Sequence, residues 1–137
     1  MVKILRIPKS ANVIDSTCGM SRFFNFIPNE TRLNGLDVNW EAIEVSRKLF
    51  PDAFFNSRDV FRTQYYAHYN TIQYSIGNPP FNLRQRGYWN HPLASQSDQE
   101  DGGSGTLLSQ NAYVYNNAHY LVEGGIAFFI VPATWLT

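Results

Sequence analysis

Five short apolar runs recur along the 137-residue chain, and stretches with the spacing of amphipathic helices lie between some of them. Short apolar runs that are bounded by polar and turn-forming residues are typical of β-strands. Strands that alternate with helices indicate an α/β fold, in which helices cover both faces of a mostly parallel sheet. We therefore predict strands at residues 12–15, 33–38, 53–55, 71–76 and 126–131 of such a sheet.

Two segments have the apolar spacing of helices. In the first, Asn39 is a good N-cap, Glu41 lies in the first turn, and apolar residues follow at 42, 43, 49 and 50. In the second, we predict a helix that ends at Gly124-Gly125. Its apolar face would consist of Leu108, Ala112, Tyr115, Ala118, His119 and Val122.

Acidic residues lie at the carboxyl ends of the first three predicted strands: Asp15 and Asp37 within the ends of the first two, and Asp59 shortly after the third. Ligands of parallel sheets bind at the carboxyl ends of the strands. Asp15 opens a tight turn to Gly19, and an acid there favours a ligand with an amino group or a positive charge. Asp37 follows at about the distance at which a second-strand acid accepts ribose hydroxyls, and Asp59 could accept from an adenine amine. Taken singly, they are also compatible with an ordinary turn, a helix N-terminal acid and a solvated loop charge.

The fourth predicted strand is followed by the segment Asn78-Pro79-Pro80-Phe81. Proline cannot donate a hydrogen bond to a sheet, so this segment must leave the strand pairing. Each proline also favours extended geometry in the residue before it, which stiffens the arc. Four residues of this kind are by themselves a rigid turn. Beside acids at neighbouring strand ends, they indicate a site for an adenosine-containing ligand with an amino-acid-like tail.

In this order, the motifs resemble the catalytic domain of S-adenosylmethionine-dependent adenine-N6 DNA methyltransferases. Residues 15–23 resemble the family's DPACGSGxF motif, Asp37 and Asp59 its second- and third-strand acids, and residues 78–81 its NPPF motif. Residues 109–113 and 124–136 resemble the helix and strand that follow. The resemblance implies a Rossmann-like, doubly wound class I methyltransferase fold, truncated after the fifth strand. It also implies that S-adenosylmethionine is bound by Asp15, Thr17, Cys18, Gly19, Asp37, Val38, Asp59, Val60 and Asn78.

The resemblance assigns catalysis to Asn78, Pro79, Pro80 and Phe81. The side-chain oxygen of Asn78 and the carbonyl of Pro79 would accept the two N–H bonds of the exocyclic amine of adenine and stabilise the charge that develops during methyl transfer. Phe81 would stack on a base that is flipped out of the duplex. The implied partner is therefore DNA, in a restriction-modification type of role.

The chain departs from the family motif at two positions. Ser21 stands where the family has its second glycine, and Ser16 where it has proline. We expect a serine at position 21 to crowd the backbone against the cofactor and weaken binding.

The resemblance ends with the chain, so we expect residues 1–137 to be a partial methyltransferase domain without its DNA-recognition region. We expect the uncovered edge of the fifth strand to pair with a second copy or with a partner chain. The polar stretch 85–106 is predicted to be a mobile loop, because it has little apolar surface to bury.

Composition narrows the remaining possibilities. Eleven basic residues balance eleven acidic ones, so no overall basic field indicates nucleic-acid binding. The single cysteine, Cys18, excludes a disulfide framework and favours a reducing cytoplasm as the location. We find no secretory signal peptide and no membrane-spanning run. The three histidines have no metal-ligand spacing with Cys18, so no metal is predicted.

Other functions stay open. Methyltransferases of a guanine amine in RNA and of a glutamine amide in protein also resemble this chain in their Asn-Pro-Pro-aromatic segment. The Phe at position 81 and the Val131-Pro132 ending favour the DNA group. A different class of function is an inactive cofactor-fold module, which Ser21 and the missing recognition region favour.

Overall fold

The computed structural model describes residues 6–61, 70–81, 83–86 and 106–133. Its strands, in chain order, are Asn12–Asp15 (β1), Arg32–Asp37 (β2), Phe54–Ser57 (β3), Ile72–Gly77 (β4), Arg84–Arg86 (β5), Thr106–Leu108 (β6) and Leu121–Phe129 (β7). Its α-helices are Trp40–Leu49 (α1) and Ser109–Ala118 (α2), and Arg22–Phe26 forms a short 3-10 helix. Five strands form one parallel sheet in the order β3-β2-β1-β4-β7. The predicted α/β fold class is confirmed.

Apolar side chains bury both faces of the central strand. Val13 and Ile14 are neighbours in β1, so their side chains point to opposite faces of the sheet. Val13 packs in a cluster with Phe24 and Ile43, whereas Ile14 packs in a second cluster with Ile72. Burial on both faces is what a parallel sheet between covering layers requires.

The structure confirms the first helix at its N-terminus. The side chain of Asn39 accepts hydrogen bonds from the backbone N–H groups of Glu41 and Ala42, at 3.0 and 3.2 Å. Ile43 is buried as the spacing predicts, but Leu49 is exposed. The helix ends at Leu49, and this residue of its last turn does not pack against the sheet.

The predicted boundary between the second helix and the fifth strand is wrong. Helix α2 ends at Ala118, and β7 begins at Leu121, so Gly124 and Gly125 lie inside the strand. Two steps along β4, from Ile72 to Tyr74, match five along β7. The two glycines lie in the bulge that takes up the extra residues, where a helix stop was predicted.

The predicted apolar face of α2 is also wrong. Tyr115, Ala118 and His119 are exposed. The helix instead buries a mostly polar face, and Ala112 is the one aliphatic residue in it. The buried residues are Ser109, Gln110, Ala112, Tyr113, Asn116 and Asn117.

The predicted mobile loop lies for the most part outside the described residues. At its two ends the structure has strands where a loop was predicted, because Arg84–Arg86 pairs with Thr106–Leu108 in an antiparallel ladder. This pair leads directly into α2 and places the first residue of that helix beside the segment that follows β4. None of the helices within the described ranges is long and apolar enough to cross a membrane.

Candidate functional site

The predicted site residues come from strands that are neighbours in the sheet. β1 lies between β2 and β4, and all three run in the same direction. Asp15, at the end of β1, pairs with Gly35 on one side and with Ile76 on the other. The segments after the three strands therefore meet at one edge, as expected for parallel strands.

The loop after β1, residues 15–21, is tied to β2 by two hydrogen bonds. The N–H of Gly19 donates to Oδ2 of Asp37 at 2.7 Å, and the N–H of Cys18 donates to the carbonyl of Leu36 at 2.9 Å. The other oxygen of Asp37 accepts from the N–H of Asn39 at 2.9 Å. Asp37 thus joins this loop, which we call the β1 loop, to the start of α1.

The β1 loop borders open space at Gly19. Gly19 has a φ of 52°, and a Cβ there would meet no atom within 4 Å. Val38, beside Asp37, exposes 72% of its surface. Each carboxylate oxygen of Asp37 accepts one N–H and retains a lone pair for a further donor. Open space, an acceptor pair and an apolar side chain are what a ribose with its attached base would need.

Asp15 is buried at the foot of this space. It is 1% exposed, and its Oδ1 accepts the N–H of Thr17 at 3.1 Å. Burial raises the pKa of this carboxyl to about 7, the Thr17 N–H opposes the rise, and the charge of Asp37 adds to it. Asp15 therefore shapes the loop from below, and its contact with a ligand stays a prediction.

Cys18 and Ser21 face away from that space. Burial raises the pKa of the Cys18 thiol to about 12, so it stays protonated, as expected of a small buried thiol. Ser21 has the left-handed conformation, with φ 57° and ψ 36°, that explains why the resembling motif has glycine there. Its hydroxyl is fully buried and donates to Oγ of Ser46 in α1 at 2.9 Å.

Ser46 completes a short chain of hydrogen bonds behind the β1 loop. Its hydroxyl donates to the carbonyl of Gly19 at 3.0 Å, while it accepts from Ser21. The side chain of Ser21 is therefore held against α1, and the crowding expected from the sequence does not arise from its hydroxyl. The serine at this position costs left-handed backbone strain and gains a buried hydrogen bond.

Asp59 and Val60 follow β3, two strands away from β1. Oδ1 of Asp59 accepts the N–H of Phe61 at 2.9 Å, which forms a local turn. Val60 is buried, and its carbonyl accepts from the side chain of Asn116 in α2 at 2.7 Å. Both residues follow the carboxyl end of β3, as predicted. The hydrogen bonds at Oδ1 of Asp59 and at the carbonyl of Val60 are both to groups of the protein itself.

The NPPF segment, residues 78–81, is open on one side and held on the other. Asn78 is exposed, and Phe81 exposes 37% of its surface, whereas Pro79 is buried. The hydroxyl of Thr17 in the β1 loop lies 3.4 Å from the carbonyl oxygen of Asn78. The segment therefore adjoins the β1 loop and presents an amide and an aromatic ring to the outside.

Four residues that hold the two segments were missed in the sequence. Ser46 holds the β1 loop, and Ser109, Tyr113 and Asn117 lie behind both segments. The last three have a spacing of four residues, which is a helical signal in itself. We looked for apolar spacing alone, and this polar repeat was therefore overlooked.

Comparison with known proteins finds similar structures but no match in sequence. No model of a protein family matches the chain, and no curated protein matches it in sequence. Among solved structures, it is similar to a TehB-like SAM-dependent methyltransferase from Corynebacterium glutamicum, with a TM-score of 0.63 and 14% identity over 98% of this chain and 66% of that one.

Two further structures are similar. An rRNA methylase from Streptococcus thermophilus matches with a TM-score of 0.60 and 15% identity, over 94% of this chain and 66% of that one. PKMT2 from Rickettsia typhi, in complex with AdoHcy, matches with a TM-score of 0.53 and 18% identity, over 87% of this chain and 20% of that one. This chain thus spans less than two thirds of the length of each of the three. The likeness shows that it has the Rossmann-like fold of S-adenosylmethionine-dependent methyltransferases.

Proposed function

We propose that this chain transfers a methyl group from S-adenosylmethionine to the exocyclic amine of adenine in DNA, as the catalytic part of a larger restriction-modification type of protein. The observation that carries the proposal is the adjacency of the NPPF segment to the β1 loop, where the Thr17 hydroxyl lies 3.4 Å from the Asn78 carbonyl. Groups suited to a nucleoside and groups suited to an amine thus adjoin at one edge of the sheet. The proposed compartment is the cytoplasm, which suits a chain with one cysteine.

The cofactor would lie in front of the β1 loop. When bound, S-adenosylmethionine supplies an electrophilic methyl group. Asp37 would accept the ribose hydroxyls, Val38 would cover one face of the base, and Gly19 would allow close approach. The remaining proposed contacts, at Asp15, Thr17, Cys18, Asp59, Val60 and Asn78, would include backbone groups, since the side chains of Asp15, Cys18 and Val60 are buried.

The NPPF segment would hold the amine that receives the methyl group. The lone pair of an exocyclic amine is delocalised into the ring, so acceptors on its two N–H bonds increase its nucleophilicity. Asn78 through its side-chain oxygen and Pro79 through its carbonyl would accept these bonds and stabilise the positive charge on the nitrogen. The new N–C bond would replace the S–C bond of the donor, and the nitrogen would then lose one proton to solvent.

Phe81 would contribute binding of the base. Its ring is partly exposed beside Asn78, and it can stack on a base that has left the duplex. Pro80 stiffens the chain between them and, through its carbonyl, anchors the segment to Ser109 at 2.6 Å. The acceptors and the ring are thereby held at a set distance from each other.

Two other kinds of function are compatible with the same site. A guanine amine in RNA or a glutamine amide in protein would use the same acceptors, and one of the similar structures is an rRNA methylase. An inactive module was favoured by the expected crowding at Ser21. The hydroxyl of Ser21 bonds to α1 and not toward the cofactor space, which removes that argument for an inactive module.

The test is methyl transfer from labelled S-adenosylmethionine to unmodified DNA, RNA and protein, with analysis of the methylated product. We expect N6-methyladenine in DNA. Asn78→Ala should lower the rate roughly 100-fold or more, because one oriented acceptor of the transition-state charge is lost. Label in guanine or glutamine would replace the DNA assignment, and no label in any substrate would favour the inactive module.

A matched control is Asn29→Ala. Asn29 is exposed and precedes β2, so it lies at the opposite end of the strands from the NPPF segment. This variant should methylate at the wild-type rate. An equal loss in both variants would contradict the role of Asn78.

A further inference from the structure

Three polar residues form a buried stripe along α2. Ser109, Tyr113 and Asn117 follow one another at intervals of four residues, so their side chains lie on the same face of the helix. Each of them is 0% exposed. We call this set the α2 stripe.

The first residue of the stripe holds the end of the NPPF segment. The hydroxyl of Ser109 donates to the carbonyl of Pro80 at 2.6 Å and accepts from the N–H of Leu83 at 3.2 Å. The N–H of Ser109 donates to the carbonyl of Leu83 at 2.7 Å. Three hydrogen bonds thus bracket Phe81 from both sides.

The second residue lies where the β1 loop and the NPPF segment meet. Oη of Tyr113 is 3.4 Å from Oγ1 of Thr17, which is itself 3.4 Å from the carbonyl oxygen of Asn78. Burial raises the pKa of the Tyr113 phenol far above its usual value, so the phenol keeps its proton. The phenol donates to the carbonyl of Ile76 at 3.5 Å, and the single proton of the Thr17 hydroxyl lies between two acceptors, Oη of Tyr113 and the carbonyl of Asn78.

The third residue joins the strands below the site. Oδ1 of Asn117 accepts from the hydroxyls of Ser16, at the start of the β1 loop, and Ser75, in β4, at 2.9 Å each. Its Nδ2 donates to the carbonyl of Tyr113 at 2.9 Å. The side chain of Asn117 therefore connects the β1 loop to the strand that carries the NPPF segment.

Burying such groups costs free energy unless every polar atom finds a partner, and an apolar face would hold a helix on a sheet at lower cost. The partners of the stripe lie in the two segments that face the proposed ligands and in β4, the strand before the NPPF segment, through Ser75 and Ile76. A fully bonded polar network favours one relative arrangement of its partners over others. The stripe is therefore placed to transmit a change in one segment to the other.

We propose that Ser109, Tyr113 and Asn117 are positioning residues that couple ligand binding at the β1 loop to the placement of the NPPF segment. This inference rests on the cofactor site of the proposed function. A ligand that orders the β1 loop also orders Thr17, whose hydroxyl contacts both the carbonyl of Asn78 and the phenol of Tyr113 in the stripe. The acceptors for the amine are then assembled when the cofactor is bound.

The test compares Tyr113→Phe with Tyr115→Phe, the same chemical change at an exposed position of the same helix. S-adenosylhomocysteine is titrated into each chain by calorimetry, and exchange of the Leu83 amide is followed with and without it. In the wild type and in Tyr115→Phe, we expect the ligand to slow exchange at Leu83. In Tyr113→Phe, we expect a dissociation constant roughly three- to tenfold higher, as for the loss of one hydrogen bond, and no ligand effect at Leu83.

A merely structural Tyr113 would give a different result. Thermal stability would fall, while the dissociation constant and the ligand effect at Leu83 would stay at wild-type values, and this outcome overturns the coupling. Should Tyr113→Phe not fold, Ser109→Ala must abolish the ligand effect at Leu83 for the inference to stand. A wild-type chain that does not bind S-adenosylhomocysteine also overturns it. Methylation of DNA does not enter these measurements, so failure of the proposed substrate leaves them readable.

Discussion

The β1 loop and the NPPF segment lie side by side but are held in different ways. The β1 loop is held by a charged carboxylate, Asp37, and by Ser46 on α1. The NPPF segment is held by uncharged groups of α2, foremost Ser109. The β1 loop should therefore be most sensitive to substitutions that remove a charge, and the NPPF segment to substitutions that change the shape of the side chains around it.

The two helices differ in the same sense. Helix α1 buries Ile43 and Ser46, and much of its remaining surface is exposed. Helix α2 buries six residues, of which Ala112 alone is aliphatic. Helix α1 combines an apolar contact at Ile43 with the hydrogen bonds of Ser46, whereas the position of α2 depends mainly on directional hydrogen bonds. The following predictions test this contrast, from the largest expected effect to the smallest.

The charge of Asp15 should make stability depend on pH. Its pKa is about 7 in the folded chain against a usual value of 3.8, so between these pH values the folded chain binds more protons than the unfolded chain. The free energy of unfolding should therefore fall as the pH rises from about 4 to about 7, by at most about 4 kcal/mol. Urea unfolding at both ends of this range measures the fall.

Asp15→Asn should remove this contribution and flatten the pH dependence. Asp52→Asn serves as its control, because Asp52 is exposed in the turn before β3. The control should keep the wild-type slope. A steep slope that persists in Asp15→Asn would mean that another group binds the proton.

Removal of the carboxylate that holds the β1 loop should weaken cofactor binding much more than any change in the NPPF segment. We expect Asp37→Ala to raise the dissociation constant of S-adenosylhomocysteine roughly 100-fold or more, since bonds to a charged group are the stronger ones. Asn78→Ala should change it less than about threefold, because its proposed acceptor faces the amine. Calorimetric titration of both variants compares the segments directly, and equal effects would contradict their separate roles.

A change of shape should disturb the NPPF segment through its strand. A Cβ added at Gly77 would collide with the hydroxyl of Tyr113, which is buried and cannot move aside. We expect Gly77→Ala to lower the free energy of unfolding by about 1–3 kcal/mol, as for overpacked cores. Addition of Tyr113→Phe should recover part of this loss in chemical unfolding experiments. No recovery would mean that the collision lies elsewhere.

The smallest stability effect is expected at Ser21. Ser21→Gly relieves a left-handed backbone cost of about 1–2 kcal/mol and loses one buried hydrogen bond worth about 1 kcal/mol. The two changes nearly cancel, so thermal unfolding and cofactor affinity should stay close to wild type. Ser46→Ala is the contrasting variant, because it removes the bond to Gly19 as well and should destabilise more. A large gain in cofactor affinity from Ser21→Gly would mean that Ser21 does crowd the cofactor, as the sequence suggested.

The two outer strands extend the comparison to assembly. β7, at the edge next to β4, has nine residues, whereas β3, at the edge next to β2, has four. A long edge with an exposed Ile126 favours pairing with another strand. We expect weak self-association through β7, seen as a rise in light scattering with concentration. Ile126→Lys should reduce it, and a monomer at all concentrations would contradict it.

Much of the architecture could be predicted from local pattern. The strands at 12–15 and near residues 33, 54 and 72 lie within about two residues of their predicted ends, because a buried parallel strand needs an apolar run that few other structures need. The Asn39 cap was also predictable, since it depends on residues that follow it directly. The roles of the candidate site residues stay predictions, although Asp15, Asp37 and Asn78 do meet at one edge.

By itself, the sequence determined the order of strands along the chain, the tight turn at Gly19 and the stiff NPPF segment, because each depends on neighbours in sequence. Only the tertiary structure decided which face of α2 is buried and what Ser21 does. The stripe residues Ser109 and Asn117 are buried because Pro80, Leu83, Ser16 and Ser75 satisfy their polar groups from distant parts of the chain. Such partners leave no local pattern. The sequence around a polar side chain does not show whether the fold will bury it and supply its hydrogen bonds.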